Sequence, residues 1–163
     1  MNGTEQEKLL DELGWKLLIA LQENARLSFA ELGRRVGLST PAVAQRVRRM
    51  EDEGIIRAYR VDISPLNLGL PITAFIRMSI VGDVLTRLTA RVRAMPEVIE
   101  CYRGTGEDSF TLKIHAVSVE HLTEVIDQLT PFGTTSTSLV LSSIVDRKPL
   151  GPLNLEWQDR NNA

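Results

Sequence analysis

SFAELGRRVGLSTPAVAQRVRRMEDEG, residues 28–54, contains the start and stop signals of two consecutive short helices. Ser28 and Glu31 have the spacing of a capping box, in which two side chains satisfy free backbone amides at the start of a helix. Gly37 suits the end of that helix, and Ser39 suits the N-cap of the next, so only a tight turn separates them. The stretch therefore predicts a helix-turn-helix.

The second of these helices is expected to run to about Glu53 and to have one buried face and one solvent-exposed outer face. Val43, Val47 and Met50 recur at helical spacing, which predicts that they face a core. The first turn and the outer face suit a recognition helix. Backbone amides of the first turn can bind a phosphate, small side chains allow the backbone to approach the DNA, and polar side chains can contact base edges. A solvated helical hairpin is the alternative. The predicted DNA-binding residues are Ser39, Thr40, Pro41, Ala42, Gln45, Arg46, Arg48 and Arg49.

The charge of the chain is unevenly distributed. The 163 residues carry a formal net charge of −2, which by itself argues against a nucleic-acid partner. Between Arg34 and Arg60, however, there are seven arginines and three acids, whereas nine basic and twelve acidic residues follow Val61. The local positive excess favours DNA as the partner of the first part and a different partner for the second.

The segments on either side of the helix-turn-helix also have a readable pattern. Leucines at helical spacing predict an amphipathic helix from about Asp11 to Glu23. After Gly54, the run from Ile55 to Val61 is β-prone, which suits a winged helix-turn-helix, and the run from Ser64 to Gly69 has the composition of a linker.

The second half alternates strand and helix patterns in the order βαββαβ, which is the split βαβ arrangement of a ferredoxin-like α+β fold. Such a sheet has helices on one face only, and alternation along its first strand predicts a partly apolar face opposite the helices, which dimerisation would cover. The predicted elements are Ile72 to Ile80 strand, Asp83 to Met95 helix, Val98 to Arg103 strand, Phe110 to Ala116 strand, Val119 to Leu129 helix and Ser136 to Val145 strand.

A set of short motifs recurs along the first part of the chain, at Asp11, Arg26 with Ser28, Val36 to Ser39, Arg46 to Arg49, and Gly54 with Ile56 and Tyr59. Together these motifs resemble the Lrp/AsnC (feast/famine) family of regulators, and the resemblance extends over nearly the whole chain. PEVIECYRGTGEDSFTLKI, residues 96–114, is similar to the loop of that family that joins the second and third strands of its effector domain. The sequence departs from the family pattern at Gly14 and Ser109, where an acid is usual.

The resemblance implies an amino-acid effector site at a dimer interface in the second half. Backbone amides of the glycine-rich loop can hold a carboxylate, and a nearby acid can hold an ammonium group. Gly-x-Gly in a hairpin is also an ordinary turn, and threonines in a strand are also ordinary β-formers. The predicted effector-binding residues are Gly104, Thr105, Gly106, Glu107 and Asp108, with Thr135, Ser136 and Thr137 facing that loop.

The expected organisation has four parts: a helix-turn-helix DNA-binding domain at residues 1–63, a linker at 64–70, a ferredoxin-like effector-binding and dimerisation domain at 71–150, and a tail at 151–163. The expected function is sequence-specific DNA binding that regulates transcription and that an amino acid modulates. The resemblance further implies a homodimer that assembles to an octamer.

Enzymatic and membrane functions lack a signal in the sequence. Cys101, His115 and His121 form no recognisable nucleophile and base, and no ligand spacing for a metal surrounds them, so we expect no catalytic residues, metal or cofactor. No apolar run approaches the roughly 18 residues of a membrane span, and a single cysteine suits the cytoplasm. Two rival hypotheses are a metabolic sensor whose helix-turn-helix binds protein, and an enzyme built on the ferredoxin-like half.

Overall fold

A computed structural model of the protein describes residues 3–80 and 82–152, with side chains from Gln6 onward. The chain divides into two compact units, one formed by the described residues up to Val61 together with those from Val145 onward, and one formed by Asp62–Ile144. Each unit has its own hydrophobic core. The described residues after Ile144 thus group with the first unit, while the functional boundaries at 63, 70 and 150 stay predictions.

The first unit consists of four helices and irregular segments in its described residues. The helix-turn-helix has the predicted chemistry: Ser28 and Glu31 form a reciprocal capping box, Gly37 ends the helix with a φ of 74°, and the Ser39 hydroxyl accepts from the amide of Ala42. The first helix was not predicted. The helices are α1 Gly3–Leu9, α2 Glu12–Glu23, α3 Phe29–Val36 and α4 Thr40–Asp52.

The core of the first unit is built from the apolar stripes of α2, α3 and α4. Val43, Val47 and Met50 are fully buried, as the helical spacing predicted. The run from Ile55 to Val61, expected to be β-prone, has no strand assignment, because the described residues of this unit contain no strand beside which it could pair. The side chains that fill the core include Leu9, Leu17, Leu18, Leu21, Leu32 and Val36.

The second unit confirms the ferredoxin-like prediction. Its four strands are all antiparallel and lie in the order β2-β3-β1-β4, so the first and third strands occupy the centre of the sheet. The elements are β1 Ile72–Ile80, α5 Leu85–Ala94, β2 Val98–Arg103, β3 Phe110–Ala116, α6 Val119–Leu129 and β4 Gly133–Leu139.

The predicted bounds of the last strand were wrong at both ends, because its extent depends on the strand beside it. β4 pairs with β1 from Gly133 opposite Ile80 to Leu139 opposite Ala74, and the amide of Val140 donates to the carbonyl of Thr73. Past that point only Ile72 of β1 remains, so β1 offers no partners for the predicted strand residues up to Val145.

The two faces of the sheet differ as the alternation along β1 predicted. Ala74, Ile76 and Met78 are fully buried in one core with residues of α5 and α6 such as Leu88 and Val125, so both helices cover this face. The opposite face, here called the open face, carries the exposed residues Phe75 and Arg77 of β1. It also carries residues of β2, β3 and β4 that lie opposite or beside these two.

Neither a membrane-spanning helix nor a metal cluster is found in the residues that the structure describes. No helix there has both the length and the apolar run needed to cross a membrane. Within the same residues, no group of three or more histidine, cysteine or acidic side chains is arranged to hold a metal ion.

Gly14 is buried at the bend between α1 and α2. A Cβ atom on this residue would lie 1.8 Å from the carbonyl oxygen of Leu9 and 3.1 Å from the Cε of Met50. Because the nearer atom belongs to the backbone, the bend could not relax by moving a side chain. The glycine therefore allows α1 to approach the first turn of α2.

We expect Gly14→Ala to destabilise the protein by about 1–3 kcal/mol, the usual range for an overpacked core, although alanine ordinarily favours a helix interior by about 1 kcal/mol over glycine. Urea unfolding followed by circular dichroism measures the change. Lys16→Ala on the same helix is the control, since it removes only the exposed ion pair with Glu12. A Gly14→Ala variant as stable as the parent would contradict the close approach to Leu9.

Candidate functional site

The exposed surface of the helix-turn-helix unit contains most of the residues predicted to contact DNA. Because Val43, Val47 and Met50 face the core, the 3.6-residue repeat turns Gln45 and Arg48 outward. Of the eight predicted residues, six are exposed on the first turn or outer face of α4, namely Ser39, Thr40, Pro41, Gln45, Arg48 and Arg49.

The start of α4 has the geometry of an anion site. Ser39 adopts an extended conformation with φ −70° and ψ 151°, and it caps the helix through its hydroxyl. Pro41 in the first turn has no N–H to satisfy, so the remaining free amides of that turn point along the helix axis toward solvent. The helix dipole adds partial positive charge at the same end.

Arg46 differs from the other predicted DNA-binding residues because its guanidinium already has a partner. Its two terminal nitrogens donate to the two carboxylate oxygens of Asp11, at 2.6 and 2.7 Å, and one also lies 3.5 Å from the carbonyl of Lys8. Asp11 is the N-cap of α2 and accepts from the amide of Gly14 at 2.8 Å. Arg46 thus connects α4 to the bend between α1 and α2.

The pKa of Asp11 reflects this arrangement. The hydrogen bonds from Arg46 are the largest influence and lower the pKa of the carboxyl below its ordinary value of 3.8, while partial burial opposes the shift and the amide of Gly14 lowers it further. A forked, charge-assisted pair of this kind is stronger than a single surface ion pair.

A shallow groove of about 320 Å³ runs along one side of α4 and is bordered by Ala42, Gln45, Arg49 and, from α1, Lys8. Sequence reasoning missed Lys8, because it did not predict the helix that carries it. Further arginines surround the helix pair: Arg34 and Arg35 are exposed in the last turn of α3, and Arg57 and Arg60 are exposed after α4. The surface around α4 is therefore positively charged.

The predicted effector loop lies between β2 and β3 in the second unit. The amide of Gly104 donates to the carbonyl of Ser109 at 3.0 Å, and Gly106 has a φ of 104°, which a residue with a side chain rarely adopts. All five predicted loop residues, from Gly104 to Asp108, are exposed. Asp108 approaches the open face, where its Oδ2 lies 3.5 Å from the Nε of Arg77.

The three predicted hydroxyl residues of β4 are divided between the two faces of the sheet. Ser136 lies opposite Arg77 and is exposed on the open face. Thr135 and Thr137 lie opposite Met78 and Ile76, so they point to the face that the helices cover and are half-buried. The register therefore brings Ser136 together with Arg77 and Asp108, and it separates the two threonines from them.

The open face has an aromatic centre bordered by charge. Phe75 and Tyr102 are exposed there, and the Tyr102 hydroxyl donates to Glu100 at 2.7 Å. Lys113 lies opposite Glu100, with 3.8 Å between its ammonium group and the carboxylate. Sequence reasoning missed Arg77, Tyr102 and Lys113 as site residues, although the same alternation that places Phe75 on this face could have identified them.

Cys101, His115 and His121 do not have the surroundings of a catalytic set. Partial burial raises the pKa of the Cys101 thiol, which favours the unreactive protonated form. Burial, with a contribution from Lys113, lowers the pKa of His115, whose Nδ1 lies 3.0 Å from the Thr73 hydroxyl. His121 pairs with Glu97 at 3.1 Å.

Both units match models of known protein families. Residues 10–51 match the AsnC-type helix-turn-helix domain, and residues 73–150 match the Lrp/AsnC ligand binding domain. Among curated proteins, the HTH-type transcriptional regulator LrpC of Bacillus subtilis is 33% identical over 135 residues, which are 83% of this chain and 94% of that protein.

Solved structures with the same fold include two complexes with an amino acid. A transcriptional regulator of Neisseria meningitidis in complex with L-methionine is 35% identical, with a TM-score of 0.83 over 90% of this chain and 99% of the other. A feast or famine regulatory protein of M. tuberculosis, also complexed with L-methionine, is 28% identical, with a TM-score of 0.79 over 88% and 99% of the two chains.

We expect Asp11→Asn to destabilise the protein near neutral pH and to lose this effect in acid. Asparagine retains an oxygen for the N-cap, so the substitution removes the negative charge and one of the two acceptors opposite Arg46. Because folding lowers the pKa of Asp11, its charge stabilises the native state above 3.8, and this contribution is lost as the pH falls through the lowered folded value. The measurement is the difference in free energy of unfolding between parent and variant as a function of pH.

The same comparison in an Arg46→Met background is the control, because the partner charge is absent and the difference should be nearly independent of pH. A parent–variant difference that stays constant into acid would show that the pair does not stabilise the fold.

Proposed function

Since the chain belongs to the Lrp/AsnC family of transcriptional regulators, we propose that it regulates transcription by inserting α4 into the major groove of DNA and that an amino acid modulates this binding. Its relatives are transcriptional regulators and not enzymes. The observation that carries the DNA-binding proposal is the outward face of α4, where a capped N-terminus, Gln45 and Arg48 lie together at the centre of an arginine-rich surface.

We assign different roles to the predicted DNA-binding residues according to their contacts. The first turn from Ser39 to Ala42 meets a phosphate and allows close approach, while Gln45, Arg48 and Arg49 reach base edges or neighbouring phosphates. Arg46 acts as a positioning residue, because its guanidinium is held by Asp11 and orients α4 relative to α2. Lys8, on the same groove as Arg49, adds a phosphate contact.

The proposed effector site is the corner of the open face where the loop from Gly104 to Asp108 meets β1 and β4. Loop amides hold the carboxylate of an amino acid, and Glu107 or Asp108 holds its ammonium group. Ser136 supplies a hydroxyl from the same face. Thr135 and Thr137 lie on the covered face, so in this proposal they support β4 and do not contact the ligand. The methionine complexes of the two structural neighbours support an amino acid as ligand.

We further propose that two chains associate through their open faces and that the dimers assemble to an octamer in the cytoplasm. The exposed Phe75 and Tyr102 support the first step, because they leave an apolar centre in contact with water. An amino acid would then act by binding one assembly more tightly than another, so that the spacing of the recognition helices changes.

The two rival hypotheses differ from this proposal in their partners. A sensor whose helix-turn-helix binds protein would not need the arginine-rich outer face of α4, and an enzyme would need a catalytic set that Cys101, His115 and His121 do not form.

We expect Arg48→Ala to weaken binding to the promoter region of the protein's own gene. If Arg48 contacts a base, the loss is about 1–3 kcal/mol of binding free energy. If it contacts a phosphate, the slope of log affinity against log salt concentration decreases in magnitude by about 0.9. Mobility-shift titrations at several salt concentrations distinguish the two. The control is Arg93→Ala, which removes an exposed arginine from α5 in the second unit. Absence of binding at low salt, or equal affinity in both variants, would refute the DNA-binding proposal.

We expect L-methionine, or another member of an amino-acid panel, to raise the melting temperature, because a ligand that binds only the native state stabilises it by mass action, by about 2.7 kcal/mol at 100 times its Kd. Asp108→Ala should reduce the shift, while Glu124→Ala, an exposed acid on α6, should retain it. If no amino acid changes the melting temperature, the second unit serves for assembly alone, and the DNA-binding proposal is unaffected.

A further inference from the structure

The last described residues of the chain return to the first unit. Residues 145–152 group with the helix-turn-helix, although β4, which ends at Leu139, belongs to the second unit. The chain therefore passes between the two units twice, once after Val61 and once after Ile144. A specific side-chain contact holds the chain where it returns.

This contact is a fork between the side-chain amide of Gln22 and the backbone of Leu150. The Oε1 of Gln22 accepts from the Leu150 amide at 2.8 Å, and its Nε2 donates to the Leu150 carbonyl at 3.0 Å. The two residues are 128 positions apart in the chain. Because both bonds go to the backbone, the glutamine binds the returning segment as a neighbouring strand would.

Gln22 is oriented by its own helix. Its Nε2 also donates to the carbonyl of Leu18, one turn earlier in α2, at 3.1 Å. A glutamine side chain has two N–H donors and one oxygen, so the three hydrogen bonds use both donors and fix the direction of the amide. A side chain that its own helix already orients loses less freedom when it binds the returning segment.

The returning segment also has little conformational freedom of its own. Residues 145–150 have no regular secondary structure. Pro149 and Pro152 fix their own φ angles, and they disfavour the helical region for Lys148 and Gly151, which precede them. A segment restricted in this way loses less conformational entropy on docking than a flexible tail would.

The segment that leaves the first unit is held near the one that returns. Tyr59 donates its hydroxyl to Glu51, in the last turn of α4, at 2.7 Å. Within the same unit, Tyr59 and Arg60 line a cavity of about 520 Å³ that Arg147 and Leu150 also line. Both passages of the chain thus border one cavity, and each is tied by hydrogen bonds to a helix of the unit.

The returning segment continues directly from a strand of the proposed effector site. Ser136 lies on β4, whose last hydrogen bond to β1 runs from the amide of Val140 to the carbonyl of Thr73. Only the residues between Val140 and Leu150 separate this point from the fork with Gln22. A displacement of the end of β4 therefore acts on α2 through a short covalent path.

We propose that Gln22 is a positioning residue for regulation: it holds residues 145–150, here called the C-terminal strap, on α2 and so couples the effector site to DNA binding. The inference rests on the proposed function, because it needs both DNA binding and an amino-acid effector. An amino acid bound beside Ser136 shifts β4, and the C-terminal strap conveys this shift to α2. Without the fork, DNA affinity no longer depends on the amino acid.

Gln22→Met tests the hold, because methionine has a similar length and no amide. Hydrogen exchange of the Leu150 amide, followed by NMR, measures the hold directly. We expect this exchange to be roughly 2–10 times faster in the variant, the factor that corresponds to the loss of one hydrogen bond. Unchanged exchange would overturn the proposal, since the fork would then not hold the C-terminal strap.

The coupling is measured as the ratio of the DNA affinities with and without an amino acid. Mobility-shift titrations on the promoter region of the protein's own gene give both affinities, with L-methionine tested first and then the rest of the panel. In Gln22→Met we expect the ratio to approach one, while the affinity without amino acid stays within about twofold of the parent. A glutamine that only stabilised the fold would lower the melting temperature and leave this ratio unchanged.

Leu150→Pro removes the same contact from the other side and outside any helix, because it eliminates the amide proton that Gln22 accepts. Leu150→Ala retains that proton and is the matched control. The double variant of Gln22→Met and Leu150→Pro should reduce the ratio no further than either change alone, since both remove one contact. Gln128→Met, which separates an exposed glutamine of α6 from Arg91, should keep the parent ratio.

The failure of this inference differs from the failure of the proposed function. A parent-like ratio in Gln22→Met or Leu150→Pro, measured against a parent that binds DNA and responds to an amino acid, would overturn the coupling alone. A parent that binds DNA but responds to no amino acid would refute the effector proposal and the coupling with it. In either case the exchange of the Leu150 amide still decides whether Gln22 holds the C-terminal strap.

Discussion

The fork between Arg46 and Asp11 joins α4 to the start of α2. The apolar stripe of Val43, Val47 and Met50 buries one side of α4, and the two-point hydrogen bond adds a directional contact outside that stripe. Asp11 also begins α2 as its N-cap, so one carboxylate fixes the start of one helix and the rotation of another. The buried stripe of α4 turns Gln45 and Arg48 outward, and the fork adds a second contact that holds the helix in that position.

The elements that sequence predicted well are those determined by neighbours along the chain. The caps and the helix end of the helix-turn-helix involve only contacts between residues close in sequence, as at Ser28 with Glu31, Gly37 and Ser39. Their spacing therefore predicts the motif without any knowledge of tertiary structure. The alternation along β1 likewise predicts which face is covered. For such residues, the neighbouring sequence is enough to predict the structural role.

The features that sequence missed depend on partners far along the chain. Arg46 and Asp11 are 35 residues apart, so an arginine on a presumed recognition helix could not be distinguished from one held in an ion pair. The end of β4 is set by the length of β1, and the separation of Ser136 from Thr135 and Thr137 is set by their register. α1 has no amphipathic signal, and Leu9 is its one residue in the core among those with described side chains.

The bend at Gly14 makes α1 and α2 a single structural module. The carbonyl of Leu9 occupies the space where any side chain at position 14 would begin, so the two helices have adapted to each other at the level of the backbone. A chimera that took an α2 with a side chain at this position would have to take its α1 as well. For exchange of DNA-binding specificity between regulators of this kind, the natural junction therefore lies before α1 and not at the start of the helix-turn-helix.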